Sequence, residues 1–298
     1  MQIFDPIIQF LKNVVTLNGS FNWSAVVNSL FLPFLLHGLI ITIILSVIAQ
    51  LLGTLIGLLL YFLRRSRLRV LRGLAGIYIW LFRGTPLLVQ VYVIYLMMPY
   101  LRIARPLRSI DLFGPLGFQN IFLDAFLAGL IAFSLNEGAY MAEIVRAGID
   151  SIDAGQMEAA KSLGMTYMQG MQRIVLPQAM RVIIPPLGNE FNNMLKSTSL
   201  AAVIGLNELL GSALQIGNPR FLTLELLITA SIWYLVLTTV WGLIQSNIER
   251  RFNLANVEPG LEMESWWERA VGIKRRPAVT AAGVPIAPVP EHRGGARV

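Results

Sequence analysis

The chain has 298 residues, of which 55% are hydrophobic and only 14% charged, with a mean hydropathy of +0.62. About a quarter of residues are charged in a typical soluble domain, so the composition excludes an ordinary soluble globule and points to a polytopic helical membrane protein. The net charge of +7 comes from arginines and lysines set beside apolar runs, which fits membrane anchoring rather than nucleic-acid binding, and the absence of cysteine excludes disulfides and thiolate metal sites.

Met1 to Val15 has no basic region ahead of its apolar residues and no small-residue cleavage site, so no signal peptide is expected. Residues 3–15 place apolar side chains at helical spacing and fit a helix lying at the membrane surface. Residues 1–30 are thus expected to form an N-terminal extracytoplasmic or interfacial segment. The first span is expected over about Phe31 to Leu63 and holds Gly53-x-x-x-Gly57, which either admits a close neighbouring helix or is an ordinary pair of membrane glycines. Arg64, Arg65, Arg67, Arg69 and Arg72 follow at once and mark the cytoplasmic side, which puts the N-terminus outside.

Arg83 at the bilayer centre would cost about 2.5–3.5 kcal/mol or more. It is therefore expected at the inner boundary, with residues 70–82 packed at the interface and the second span running from about Gly84 to Leu101. Pro86 is tolerated in that span's first turn, where its missing N–H would be unpaired anyway. An outer loop over about 102–120 carries Arg102, Arg105 and Arg108, which count against this topology, although the inner arginine tally is heavier. The third span is expected over about Ile121 to Ile144, the fourth over about Val182 to Ile204, and the fifth over about Phe221 to Ile248. The fourth carries Pro185, Pro186, Asn189, Glu190, Asn192, Asn193, Lys196, Ser197, Thr198 and Ser199, so it must face protein or a wet cavity rather than lipid. Residues 251–298 read as a cytoplasmic tail, with Trp266, Trp267 and Lys274 to Arg276 suited to the membrane surface and a Pro- and Ala-rich end suited to disorder. No internal repeat is visible.

Intramembrane polar residues are candidates for function. Asn136, Glu137, Asn189, Glu190, Asn192, Asn193, Ser197 and Thr198 either line a substrate pathway or make interhelical hydrogen bonds; the serine and threonine hydroxyls can instead satisfy helix carbonyls. Glu137 and Glu190 suit an ammonium or guanidinium group. Lys196 either neutralises Glu190 or meets substrate, although six residues apart is not a facing spacing on one helix, and Glu143 with Arg146 is expected to be a structural pair. The stretch Gly155 to Ser162 has Ala160 where a phosphate-binding loop needs glycine before its lysine, so no ATP site is expected here. His37 and His292 cannot make a His-rich metal site.

The most polar internal region, 150–178, reads as helix–turn–helix. Glu158 to Leu163 are helix formers, Gly164 permits a left-handed turn, Thr166 caps a second helix over about Tyr167 to Val175, and that helix is expected to end before Pro177. Taken alone, such a loop is either a connector or a plug for a partner's groove. Its spacing, Glu158-Ala159-Ala160, then Gly164, then Ile174-Val175-Leu176-Pro177, resembles the EAA loop of ABC importer permeases. The stretches His37 to Thr42, Arg83 to Gln90, Gly138 to Arg146, Leu176 to Arg181, Pro186 to Glu190 and Leu195 to Leu200 resemble the polar amino-acid uptake branch, in the family's order over residues 31–250.

The resemblance implies an all-α type I importer permease fold with about five spans and a cytoplasmic C-terminus. It implies a second permease copy or sister permease, a separate ATP-binding ABC subunit and an extracytoplasmic solute-binding protein that delivers a polar amino acid. It also implies coupling to the ATPase through Glu158, Ala159, Ala160, Gly164, Ile174, Leu176 and Pro177. No catalytic residue, metal or cofactor is expected in this chain; ATP and Mg belong to the partner ATPase. The localisation implied is the bacterial inner membrane, in contact with lipid. The alternatives are a permease for another small solute, an ion-coupled secondary transporter, or a membrane enzyme.

Overall fold

The structure, a computed structural model, describes residues 21–100 and 123–251. The expectations for 3–15, for the outer loop 102–120 and for the tail beyond 251 lie outside the described residues. Every regular element among the described residues is helical: α1 (Trp23–Ser29), α2 (Pro33–Arg64), α3 (Arg69–Gly84), α4 (Leu87–Met97), α5 (Leu123–Asp150), α6 (Ala154–Ser162), α7 (Tyr167–Gly170), α8 (Leu176–Ser197), α9 (Leu209–Gly217) and α10 (Thr223–Arg251).

α2 begins with Pro33 in its first turn and runs 32 residues, about 48 Å at 1.5 Å per residue, to the arginine cluster. Its main partner is α5. A methyl group added at Gly53 would lie 2.6 Å from Cβ of Glu137, and one at Gly57 would collide with Met141. From the other side, Gly138 of α5 sits directly on Ile56. The Gly53-x-x-x-Gly57 spacing is therefore a close-approach seam, where missing side chains let two backbones pack. α5 is the central helix: 72% of its most apolar stretch is buried, against 11% for α10, whose surface is left for lipid or partners.

At the end of α2 the expected Glu143–Arg146 pair is present at 2.8 Å and belongs to a larger network. Glu143 also pairs with Arg64, Arg146 reaches Asp150 at 3.1 Å, and Arg65 lies 3.9 Å from Asp150.

The second crossing differs from expectation. In place of one span from Gly84 to Leu101 with 70–82 at the interface, α3 and α4 meet at 109°. The cause is local. A residue before proline is barred from the helical region, so Thr85 is extended (φ −116°, ψ 147°) and α3 stops at Gly84. Pro86 is the N-cap of α4, not a residue inside the first turn of a span. At 11 residues, α4 covers about 16 Å, roughly half the hydrocarbon core. Among the described residues, three helices are individually long and apolar enough to cross a membrane, or up to five spans when each bent pair counts as one.

The second helix of the 150–178 loop also departs from expectation, since it does not end before Pro177. α7 continues through a π-helical stretch, Met171–Val175, into α8. There the Leu176 N–H donates to the Met171 carbonyl, five residues back. This wider register carries the helix to Pro177, which has no N–H to give to the residue four back. α8 itself contains Pro185 and Pro186 and is flanked by α10, whose Trp241 donates to the Gly188 carbonyl at 2.8 Å and Gln245 to the Pro185 carbonyl at 3.3 Å. A 3₁₀ turn, Thr198–Ile204, closes at Gly205 with φ +81°.

α9 is capped by Glu208, which is fully buried. Its carboxylate accepts from the N–H groups of Gly211 (2.8 Å) and Leu210 (3.1 Å), from Tyr234 of α10 (2.9 Å) and from Thr42 of α2 (3.3 Å). One acidic side chain thus ties three helices together.

Candidate functional site: a polar cavity at the helix break

A cavity of about 540 Å³ lies where the α3–α4 break faces α5 and α8. Thr85, Pro86 and Leu87 supply one wall, Asn136, Glu137 and Tyr140 a second, and Glu190, Asn193, Met194, Lys196 and Ser197 the third. The α8 residues follow helical spacing: 190, 193, 194 and 197 share one face. Of the residues singled out in the sequence, Asn136, Glu137, Glu190, Asn193 and Ser197 meet here.

The rest do not line it. Asn189 is exposed and accepts from Gln245 at 3.3 Å. Thr198 is fully buried and donates to the Leu195 carbonyl at 3.0 Å, so its hydroxyl satisfies its own helix. Asn192 has a buried side-chain oxygen with no hydrogen-bond partner.

Two lining residues are held from behind. Asn136 donates to the Phe82 carbonyl at 3.1 Å and to the Gln90 side chain at 3.0 Å. Gln90 in turn donates to the carbonyls of Phe82 (2.9 Å) and Thr85 (3.1 Å). These carbonyls have no helical partner because the helix breaks, and a break at membrane depth persists only where side chains re-satisfy it. Asn136 therefore has a structural role alongside its place on the cavity wall. Glu137, 4% exposed, accepts from Gln50 of α2 at 2.9 Å, which fixes the carboxylate over the Gly53 seam. The guanidinium of Arg83 lies 5.2 Å from the centre of the Tyr140 ring.

Sequence reasoning missed Tyr140, Thr85, Gln50, Gln90 and Glu208, and it weighed Lys196 as a partner for Glu190 rather than naming it among the pathway residues. The signal for Gln50 and Glu208 was available: each is a polar group inside or beside an apolar run, the criterion that selected Glu137. Nothing in the sequence showed that Tyr140 and Lys196 converge on one cavity, because that depends on how α5 and α8 pack together opposite the Thr85–Pro86 bend.

The 150–178 loop forms a compact hairpin of short helices. α6 closes with Gly164 at φ +79°, with the Gly164 N–H donating to Lys161 (2.9 Å) and the Met165 N–H to Ala160 (3.1 Å). That pair of bonds defines the glycine-terminated C-cap. Thr166 then starts α7 in a capping box with Gln169. Ala160 is buried and would touch a Cβ at Gly170 at 3.2 Å, so its small size serves packing inside the hairpin. Glu158, Ala159, Leu163, Tyr167, Met168, Leu176 and Pro177 are exposed, and Ile174 is half-buried. The stretch Gly155 to Ser162 is part of α6.

The family described as binding-protein-dependent transport system inner membrane component matches residues 53–254. The chain belongs to this family. Both the cavity and the 150–178 hairpin of this transport component lie within the matched stretch. It is 43% identical over 192 residues to the arginine transport system permease protein ArgU of Corynebacterium glutamicum, covering 64% of this chain and 59% of that protein. It is 38% identical to the L-cystine transport system permease protein TcyB of Bacillus subtilis, covering 82% of this chain and 97% of TcyB. Among solved structures, an amino acid ABC transporter crystallised with histidines matches with a TM-score of 0.61 and 36% identity, over 74% of this chain and 94% of that one. A bacterial ABC transporter that imports alginate shares the fold alone, at 14% identity and a TM-score of 0.58.

Proposed function

We propose that this chain is the membrane-spanning permease subunit of an ATP-driven amino-acid importer in the bacterial inner membrane, with the cavity at the α3–α4 break as its substrate station. The cavity is the observation that carries this reading. Two carboxylates, Glu137 and Glu190, and one ammonium, Lys196, share it with the Asn193 amide and the Ser197 hydroxyl. A zwitterion offers the complementary set, and the excess of carboxylates favours a polar amino acid with a cationic side chain. The name of the arginine permease above supports a cationic side chain, and that of the cystine permease supports a polar amino acid more broadly. An N-terminus outside and a C-terminus in the cytoplasm are supported by the five arginines that follow the first span.

A solute-binding protein delivers the substrate from outside, and a second permease copy or sister subunit completes the membrane pair. ATP and Mg are bound by separate ABC subunits, whose closure is transmitted through the hairpin carrying Glu158, Ala159 and Gly164. Ile174, Leu176 and Pro177 continue that hairpin into α8, which bears Glu190 and Asn193. A push on the hairpin therefore reaches the cavity wall along one helix.

The test is uptake of labelled arginine, glutamine and cystine by proteoliposomes containing the chain with its ATPase and binding protein. ATP-dependent uptake is expected, and Glu190→Gln should lower it at least tenfold while the assembly and its ATPase remain intact. Uptake by the chain alone, driven by an ion gradient without ATP, would assign it instead to secondary transport.

A further inference from the structure

A second cavity, of about 500 Å³, opens where α2 ends. It is separate from the substrate cavity and shares no residue with it. Four guanidiniums, Arg64, Arg65, Arg72 and Arg146, surround it, together with Asp150 and the bare backbone of Gly76. Glu143 and Asp150 are the carboxylates that partner these arginines. Set against the four arginines, they leave a local charge of +2. Arg72 is exposed and makes no ion pair among the described residues. The cavity sits at a membrane boundary, because α2 is an apolar span and Arg64 is its last residue.

One flank of the cavity is α3. Leu74, Ile77 and Leu81 recur along that helix, and with Trp80 they are 46–74% exposed. Between these residues and the arginines, Gly73 and Gly76 leave open space: a Cβ at either would meet nothing within 4 Å. The surface thus offers, side by side, a cationic recess and an apolar helix face.

We propose that this recess binds the headgroup of an anionic diacyl phospholipid, with an acyl chain laid along Leu74, Ile77 and Leu81. The phosphodiester accepts from the guanidiniums, whose planar forks match its paired oxygens better than a point charge would. Basic pockets between helices at the cytoplasmic boundary take anionic headgroups on this logic. The choice of a lipid over a soluble anion rests on the adjoining apolar face, for which a free phosphate has no use. The lipid phosphate competes with Asp150 for Arg65 and Arg146. Asp150 closes α5 only four residues before α6 begins, so an occupied site bears on the root of the 150–178 hairpin.

The experiment is lipid binding to the full transporter, delipidated in detergent, titrated with phosphatidylglycerol or phosphatidylcholine and read by native mass spectrometry. Phosphatidylglycerol should bind at least about fivefold more tightly, the ratio expected from one unmatched arginine near an anionic headgroup. Arg72→Gln should lower that preference about fivefold. Gly76→Leu fills the recess at a position with free space and should abolish the preference without loss of fold; Arg67→Gln, outside the recess, should leave it unchanged. Equal retention of the two lipids, or a preference untouched by both Arg72→Gln and Gly76→Leu, overturns the proposal. Displacement of the lipid by inorganic phosphate at matching concentration would reassign the recess to a soluble anion. Loss of the ATPase subunit in these variants, with lipid retention intact, would reassign it to a protein partner.

Discussion

Replacement of Gly164 isolates one physical quantity. The residue holds φ +79°, and a side chain there would meet nothing within 4 Å. Steric crowding is therefore absent, and the cost of a substitution is the backbone's alone. A non-glycine L-residue in the left-handed region costs about 1–2 kcal/mol, while Asn tolerates it better and β-branched Val fits it worst. At RT of about 0.59 kcal/mol, Gly164→Ala should shift the hairpin toward a broken C-cap about 5- to 30-fold. If the hairpin transmits ATPase closure, the solute moved per ATP hydrolysed should fall in the order Gly, Asn, Ala, Val. Parallel uptake and phosphate-release measurements on the same proteoliposomes give that ratio. Melting of the spans should not move, because Gly164 itself lies outside every candidate span. A Gly164→Val transporter that keeps the wild-type ratio, or an Asn variant as impaired as Val, would refute the reasoning.

Other consequences follow from the packing. Gly53→Leu drives a side chain into Glu137, 2.6 Å from where the Cβ would sit, and should destabilise the α2–α5 seam by about 1–3 kcal/mol, read as a lower melting temperature in detergent. Glu208→Ala leaves the N–H groups of Leu210 and Gly211 and the hydroxyls of Tyr234 and Thr42 without their acceptor. It should cost at least about 4 kcal/mol at 1–3 kcal/mol for each of the four abandoned groups, and a near-neutral melting shift would mean the carboxylate is dispensable. A double-mutant cycle on Asn136→Ala and Gln90→Ala should give a coupling of about 0.6–1.7 kcal/mol, the range for interhelical hydrogen bonds in a membrane. Strict additivity would show that the break at Thr85–Pro86 is held by something else.

What could be read from the sequence was what depends on local rules. The apolar run from Phe31, stopped by Arg64 and Arg65, announces α2. Gly164 and Thr166 announce their turn and cap because each acts on its own backbone. Harder features depend on two elements at once. The dipeptide Thr85–Pro86 signals a stop, but whether it starts a span or bends one by 109° is decided by α5 and its Asn136, which pay the broken helix's hydrogen-bond debt from across the interface. Pro177 reads as a terminator, yet the π register before it lets the helix continue. Thr198 and Lys196 are two residues apart in α8 and its 3₁₀ extension, yet one is sealed against Leu195 while the other lines the cavity. That division follows from how the helix is rotated in the bundle, which composition does not encode.

The most direct test of the coupling account uses the absence of cysteine from the chain. Leu163, 77% exposed at the tip of α6, can be made the single thiol by Leu163→Cys. The account predicts that a short thiol–amine cross-linker joins this position to the ATPase subunit in inverted membrane vesicles, in a yield that changes when ATP is bound. It also predicts that a membrane-impermeant maleimide leaves the residue unlabelled from outside intact cells. Labelling from outside, with no adduct to the ATPase, would contradict it.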